Sequence, residues 1–389
     1  MLKIAIIGCG KIADAHAAVI QRISDCEIVG VCDREPLMAR QLYERFPARG
    51  HFSDLNEMLE KARPDVVHIT TPPQGHFDIA RTCLEAGCHV YVEKPFTIDA
   101  KEARDLITLA NENGLKLTAG HNDQFSHVAQ RMRELVKSGY LGGAPVHMES
   151  YYCYDLADPS YAKALLGDRN HWVRKLPGQL VQNVISHGVA RIAEFLESDT
   201  PHVIAYGFTS PLFKSIGETE IIDELRVIIS DDERTTAYFT FSTQMKPSIH
   251  EFRMYGPKNG LLMDQDHEIL IKLRGQNFKS YAEKFVPPVL FARQHLGNLK
   301  INVRKFLARD FHFDAGMKYL TEGFYRSIRE DAPPPISYRE ILLTAEIMDD
   351  IFEQISAGKR STQVKIQTDS TSQTVNSERS RAEGTRVRD

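Results

Sequence analysis

The chain reads as an α/β protein, with a doubly wound parallel sheet first and an α+β domain with a largely antiparallel sheet after it. Three observations predict this. Up to about residue 121, apolar strand-like runs alternate with helices of ten or more residues, the pattern of βαβ units. A series of short strands with little helix between them follows, which favours antiparallel pairing. At 389 residues, 42% hydrophobic and 26% charged, the chain can bury two separate cores.

The elements follow in order. "KIAIIG" is the first strand and "DAHAAVIQRI" has helical spacing. "EIVGVCD" is a strand and "PLMARQLYERF" a helix. "DLNEMLEKA" is a short helix with Ser53 at its cap. "DVVHITT" is a strand, "FDIARTCLEAG" a helix stopping at Gly87, and "HVYVEKP" a strand. The next helix starts near Thr97 or Asp99 and ends at Gly114, before the strand "LKLTAGH". Beyond residue 122, the helix "HVAQRMRELVKSG", the strand "PVHMESYYCY" and the long helix "GQLVQNVISHGVARIAEFLES" precede strand-like runs from "HVIAYGFTS" to "EILIKLR". Residues 285–312 mix apolar and basic side chains. The expectation there is a loop and a helix packed on the domain, with a membrane-surface or partner helix as the alternative. Two helices bracket "DAPPP". Residues 359–389 are Ser, Thr, Gln and charge, and read as a disordered tail.

Composition excludes several classes. A net charge of −4 gives no reason to expect nucleic-acid binding. No run of 18 apolar residues occurs, so no membrane insertion is expected. The six Cys form no C-x-x-C pair and match no zinc spacing, so no metal is expected. They suit a reducing cytoplasm, where they serve as small buried hydrophobes.

"KIAIIGCGKIADAH" places Gly8, Gly10 and Ala13 in the G-x-G-x-x-A spacing between a strand and a helix. Gly8 permits the tight turn, Gly10 lets backbone approach a pyrophosphate, and Ala13 lets the helix pack on the sheet, as in a Rossmann domain. Lys11 and Ile12 open that helix, whose free N–H groups favour phosphate. The second strand ends at Asp33, whose carboxylate suits ribose hydroxyls and repels a 2′-phosphate. That favours NAD over NADP. Arg34, next door, can stack on adenine or accept a 2′-phosphate.

"GCGKIADAH", "VCD" and "TTPPQGHFDIARTCLEAGCHVYVEKP" resemble the Gfo/Idh/MocA oxidoreductase family, that of glucose–fructose oxidoreductase and inositol dehydrogenase. The likeness is dense over residues 3–121 and looser to about 356. It implies a Rossmann domain over 1–121 and an α+β substrate and oligomerisation domain, with an open, mostly antiparallel sheet, over 122–337. It also implies a final helix, 338–358, folding back toward the first domain, and a homo-oligomer built through the large sheet. The implied reaction is hydride transfer between nicotinamide and a secondary hydroxyl of a sugar, cyclitol or nucleotide-sugar. In the E-K-P motif, Glu93 would position the cofactor, Lys94 would handle the hydroxyl proton, and a cis bond before Pro95 would fix Lys94. Thr71, Pro72 and His76 would line the ribose side.

The substrate half departs from the family pattern. The usual D-x-x-x-H pair reads Asn183 to His187. Spacing i, i+4 keeps both on one helix face. His187 can exchange a proton near neutral pH, whereas Asn183 carries no charge. Gln124 stands where the family commonly has Arg. Trp172 and Arg174 precede the catalytic helix where relatives contact substrate, and Tyr152 alternates along a strand that faces either pocket or sheet. The alternative reading, which rests on Asn183, is an NAD-binding relative with no net dehydrogenation, acting by transient oxidation or only binding a ligand.

Overall fold

The structure is a computed structural model and describes residues 1–156, 168–231, 234–275, 277–311 and 315–357. The expected tail at 359–389 lies outside the described residues. The first sheet contains β1 (Leu2–Ile7), β2 (Cys26–Cys32), β3 (His51–Phe52), β4 (Val66–Ile69), β5 (His89–Val92) and β6 (Leu117–Ala119). All pair in parallel, in the order β3-β2-β1-β4-β5-β6. Helices α1 (Lys11–Ile20), α2 (Pro36–Arg45), α3 (Leu55–Ala62), α4 (His76–Glu85) and α5 (Ala100–Glu112) join the strands. Covering both faces explains why β4 is apolar on both sides of its pleat: Val66, Val67 and Ile69 are fully buried. The strand order reverses between β1 and β4, and such a switch point opens a crevice at the C-terminal strand ends. The cap of α3 is Asp54 rather than Ser53. Its carboxylate accepts from Glu57 N at 2.8 Å, and a charged acceptor there also suits the helix dipole.

The second sheet follows α6 (His127–Lys137). It contains β7 (His147–Asp155), then, after α7 (Gln179–Ala193), β8 (His202–Phe208). A short α8 (Pro211–Ser215) leads to β9 (Glu224–Asp231), β10 (Thr235–Ser242), β11 (Gln244–Tyr255), β12 (Asn259–Asp264) and β13 (Ile269–Arg274). The order is β13-β12-β11-β7-β10-β9-β8, antiparallel except for β7 with β10. Val181, Ile185 and Val189 of α7 pack with Phe239 and Phe241 of β10. Gly188 is what permits this approach: a Cβ there would collide with the Phe239 ring. On the opposite face Ile204, Ile228 and Tyr238 stand in register and exposed.

Residues 285–312 correct the expected loop plus helix. A continuous helix, α9 (Ala282–Leu307), runs through Pro287 and Pro288. Each proline denies a hydrogen bond only to the carbonyl four residues back, at Glu283 and Lys284, and both of those residues are exposed to water. The helix α9 lies along the edge strand β13 and satisfies it with amides. Gln294 Oε1 accepts from Lys272 N at 2.8 Å, and Asn298 Oδ1 accepts from Leu270 N at 3.1 Å while its Nδ2 donates to Leu270 O at 3.0 Å.

The helix α10 (Ala315–Arg329) corrects the expected unit 122–337. Its Met317, Leu320, Phe324 and Tyr325 are buried in the core of the first sheet. The last helix, α11 (338–357), belongs to both cores. Ile341 packs in the first, and Leu343, Ile347, Ile351 and Phe352 pack in the second.

Candidate active site

The crevice at the switch point is a cavity of about 710 Å³. Gly8 forms its floor with φ +91°, and a Cβ there would come within 2.7 Å of Thr71 N. Gly10 caps α1 without a side-chain bond, and its Cβ direction meets nothing within 4 Å. The first turn of α1 therefore faces open space, as an anion site requires. Asp33 stands at the end of β2, its Oδ2 accepting from Cys9 N at 2.7 Å and its Oδ1 from Glu35 N at 2.9 Å. Those bonds aim a fixed carboxylate at the cavity wall, beside Arg34. Thr71 and Pro72 also line it. Trp172 and Lys175 close it from the side of the second sheet. The residues present fit a dinucleotide.

Some expected contacts are placed otherwise. Lys11 and Ile12 are exposed and Ala13 is fully buried, and none of the three lines the cavity, so the first turn of α1 offers it backbone rather than side chains. His76 does not line the ribose side. It is buried, with Nδ1 2.9 Å from Pro95 O and Nε2 2.9 Å from Thr71 O. Burial pushes its pKa down, against the pull of those carbonyls. Its work is to tie the Thr71 turn to the end of β5.

That end carries Glu93, Lys94 and Pro95, with the Lys94–Pro95 bond cis. Glu93 is buried, and its Oε1 accepts from His16 Nε2 at 2.9 Å. His16 Nδ1 meets His68 Nδ1 at 2.8 Å, and His68 Nε2 meets the Tyr325 hydroxyl at 2.8 Å. With His68 neutral, one assignment satisfies every contact: Tyr325 donates to His68, His68 to His16, and His16 to Glu93. Burial, and then His16, push the His68 pKa well down, which keeps that ring neutral. Burial opposes charge on Glu93, but the His16 bond and the neighbouring Lys94 hold its pKa below the usual range. Glu93 is thus an anchored anion under Lys94.

Lys94 Nζ donates to the backbone carbonyl of Asn183 at 3.0 Å. Burial lowers its pKa, offset in part by Glu93 and Asp123. His187, one turn along α7, is buried. Burial takes its pKa down to about 4, with Asp123 pulling up and Lys94 pushing down. Its Nδ1 has no hydrogen-bond partner among the described residues and lies 4.0 Å from Asp123 Oδ2. Asp123 Oδ2 accepts from the Tyr152 hydroxyl at 3.0 Å and from Arg191 Nη2 at 3.2 Å. Burial opposes its charge, but His187, Arg191 and Tyr152 together hold its pKa well below the carboxylate range. A lysine, a neutral imidazole and a fixed carboxylate so converge. Such a set can take a proton from a hydroxyl and stabilise the resulting charge.

Three further expectations are corrected. Gln124 is buried with Nε2 bonded to Glu194 Oε2 at 3.0 Å and to Glu340 Oε1 at 2.6 Å, so it braces helices rather than substrate. Arg174 Nη2 is committed to Glu218 Oε2 at 2.6 Å, in a pair of two largely buried side chains. Trp172 belongs to the nucleotide cavity rather than to the proton-handling group. Asp123, His121 and Arg191 escaped the sequence reading. His121 is buried, its two ring nitrogens lack partners among the described residues, and its ring centroid is 6.0 Å from that of His187. The available signal was "HND", which follows strand β6 at the same C-terminal end of the sheet as Glu93 and Lys94 after β5.

Fold and site together define a Rossmann-type domain with a dinucleotide-sized crevice, followed by a second, mostly antiparallel sheet. Residues 2–121 match the family described as an oxidoreductase family with an NAD-binding Rossmann fold. That domain is therefore similar to the Gfo/Idh/MocA oxidoreductase family. It is 36% identical over 142 residues to D-glucoside 3-dehydrogenase of Escherichia coli, covering 36% of this chain and 40% of that one. It is 22% identical over 273 residues to inositol 2-dehydrogenase of Rhizobium meliloti, covering 70% and 78%. The chain spans less than half the length of the first curated relatives it matches. The fold is shared with the WlbA dehydrogenase of Bordetella pertussis, solved with NADH and UDP-GlcNAcA. That match has a TM-score of 0.73 at 18% identity over 92% of this chain and 96% of that one.

Proposed function

We propose that this protein is an NAD-dependent oxidoreductase that moves hydride between nicotinamide and a secondary hydroxyl of a sugar, cyclitol or nucleotide-linked sugar. The observation that carries the proposal is the meeting of Lys94 after β5, Asp123 after β6 and His187 in the middle of α7, with β5 paired to β4, whose following residues Thr70 and Thr71 line the dinucleotide cavity. Bound nicotinamide would supply the hydride acceptor. The chain supplies the rest. Neutral His187 takes the hydroxyl proton. Lys94, with its lowered pKa, hydrogen-bonds the same oxygen as it becomes a carbonyl. Asp123 stabilises the imidazolium that forms, a task Asn183 cannot perform. That weakens the case for a binding-only relative. Asp33 favours NAD, and the solved relative with NADH supports the same preference. The relatives named for glucosides and inositol support a polyhydroxylated substrate. The exposed ridge of Ile204, Ile228 and Tyr238 supports a homo-oligomer through the second sheet.

The test measures NAD and NADP affinity by calorimetry. It then follows the reduced-nicotinamide absorbance with sugars, cyclitols and UDP-sugars, for wild type and Lys94→Ala. The expected result is tighter NAD binding in both proteins and turnover in wild type only. Tight NAD binding with no turnover on any panel member would move the protein to the redox-neutral or binding class. Failure to bind either cofactor would sink the assignment of the cavity.

A further inference from the structure

We propose that the outer face of α9 pairs in parallel with the same face of α9 in a second copy of this chain. One side of the helix is committed: Gln294, Asn298 and Asn302 bond the backbone of β13 and the turn before it. On the opposite side stand Phe285, Val289, Ala292, Leu296, Leu299, Val303 and Phe306, separated by alternating steps of four and three residues. That is the seam of a coiled coil, with a mean repeat of about 3.5 residues. The side chains are bare: Phe285 is 70%, Leu296 67% and Phe306 68% exposed. Water does not favour such a ridge, and patches of several hundred Å² mark interaction sites.

The pattern selects the partner. An interfacial helix in a bilayer needs only a broad apolar stripe about 100° wide or more. A strict four–three alternation is what a second helix requires, since each knob must meet a hole. Val289, Leu296 and Val303 take the a positions, and Phe285, Ala292, Leu299 and Phe306 the d positions. Val at two of the three a positions, with Leu299 at d in the centre, suits two strands. The flanks select the orientation. Arg293 and Lys300 occupy e positions, while Pro288, His295 and Asn302 occupy g positions. Antiparallel pairing sets e against e and would face these cations with their own copies. Parallel pairing sets e against g and avoids it. The resulting contact is isologous, with its two-fold axis along the helices. It is separate from the sheet ridge at Ile204, because β13 and β8 are opposite edges of the sheet.

The experiment measures the molar mass of the full chain by sedimentation and light scattering, for wild type and for the double variant Leu296→Glu, Leu299→Glu. Both leucines are exposed, so the fold should survive, and circular dichroism checks this. The expected result is a twofold lower mass in the variant. A Leu299→Cys variant should also oxidise to a covalent dimer where wild type does not. Equal masses, or a monomeric wild type, would overturn the proposal. So would wild-type co-sedimentation with phosphatidylglycerol vesicles that is lost in the double variant while the mass in solution is unchanged. That result would assign the ridge to a membrane surface.

Discussion

In the proposed reaction Asp123 performs the charge-stabilising task that an amide at Asn183 cannot. Replacing it by Asn should cost about 10²-fold in turnover, within the range for general acid–base groups, with NAD affinity unchanged. Asp123 raises the His187 pKa, so its removal should move the acid limb of the pH–rate profile to lower pH. Steady-state kinetics across pH reads both. His121 gives a stability test. Burial first, and then His187, take its pKa down to about 3. The unfolded chain binds a proton at the ordinary imidazole pKa, so His121 costs nothing above about pH 6.5. Its contribution worsens as pH falls from there toward 3. The stability gap between wild type and His121→Gln should therefore shift against wild type by about 1.4 kcal/mol per pH unit in that window. Glu268 and Glu340, raised by burial to about 7, act in the opposite sense, but they are common to both proteins and cancel in the difference. Urea unfolding at several pH values measures the gap. The cofactor residues were legible in sequence because Gly8, Gly10 and Asp33 sit on one βαβ unit at fixed spacing. The proton group was only half legible. Lys94, Asp123 and His187 come from the end of β5, the turn after β6 and the middle of α7, and no local spacing relates them.

Among the elements, α9 shows how an edge strand is closed without another strand. Asn298 is buried and bonds both the N–H and the carbonyl of Leu270, and it also accepts from Arg131 Nη2 at 2.7 Å. Asn298→Leu should strip all of these. The backbone of Leu270 would then be buried and unpaired, at a cost of about 2–3 kcal/mol. A drop in the urea midpoint would show it, and an unchanged midpoint would mean that β13 needs no such cover. This element was the least legible. Two adjacent prolines read as a break, because sequence alone does not reveal that the carbonyls they strand face water. The second misreading, α10, has a similar root. Its apolar face at Met317, Leu320 and Phe324 was plain, but periodicity gives a face and not the sheet it seeks. The parallel sheet was legible apart from the two-residue edge strand β3, because strands buried on both faces leave apolar runs such as those of β1 and β4, and His51–Phe52 is too short to leave one.

At the scale of the molecule, the two cores share their last helix. The Tyr338 hydroxyl accepts from Leu117 N at 3.2 Å on the first sheet, and Phe352 is buried with the second. Asp349 Oδ2 accepts from Ala100 N at 2.8 Å, at the head of α5. A helix common to both cores couples their unfolding. Phe352→Ala should cost about 3–5 kcal/mol and lower a single calorimetric transition rather than divide it in two. Two resolved endotherms would show that the cores melt independently. The same arrangement brings Trp172, the chain's only tryptophan, from the second sheet's side to the mouth of the nucleotide cavity. Indole emission overlaps the absorption of reduced nicotinamide and not that of the oxidised form. With NADH in the cavity, ultraviolet light taken up by this one ring would re-emerge as the blue glow of the cofactor. The protein thus carries its own optical gauge of occupancy and redox state, readable without any label.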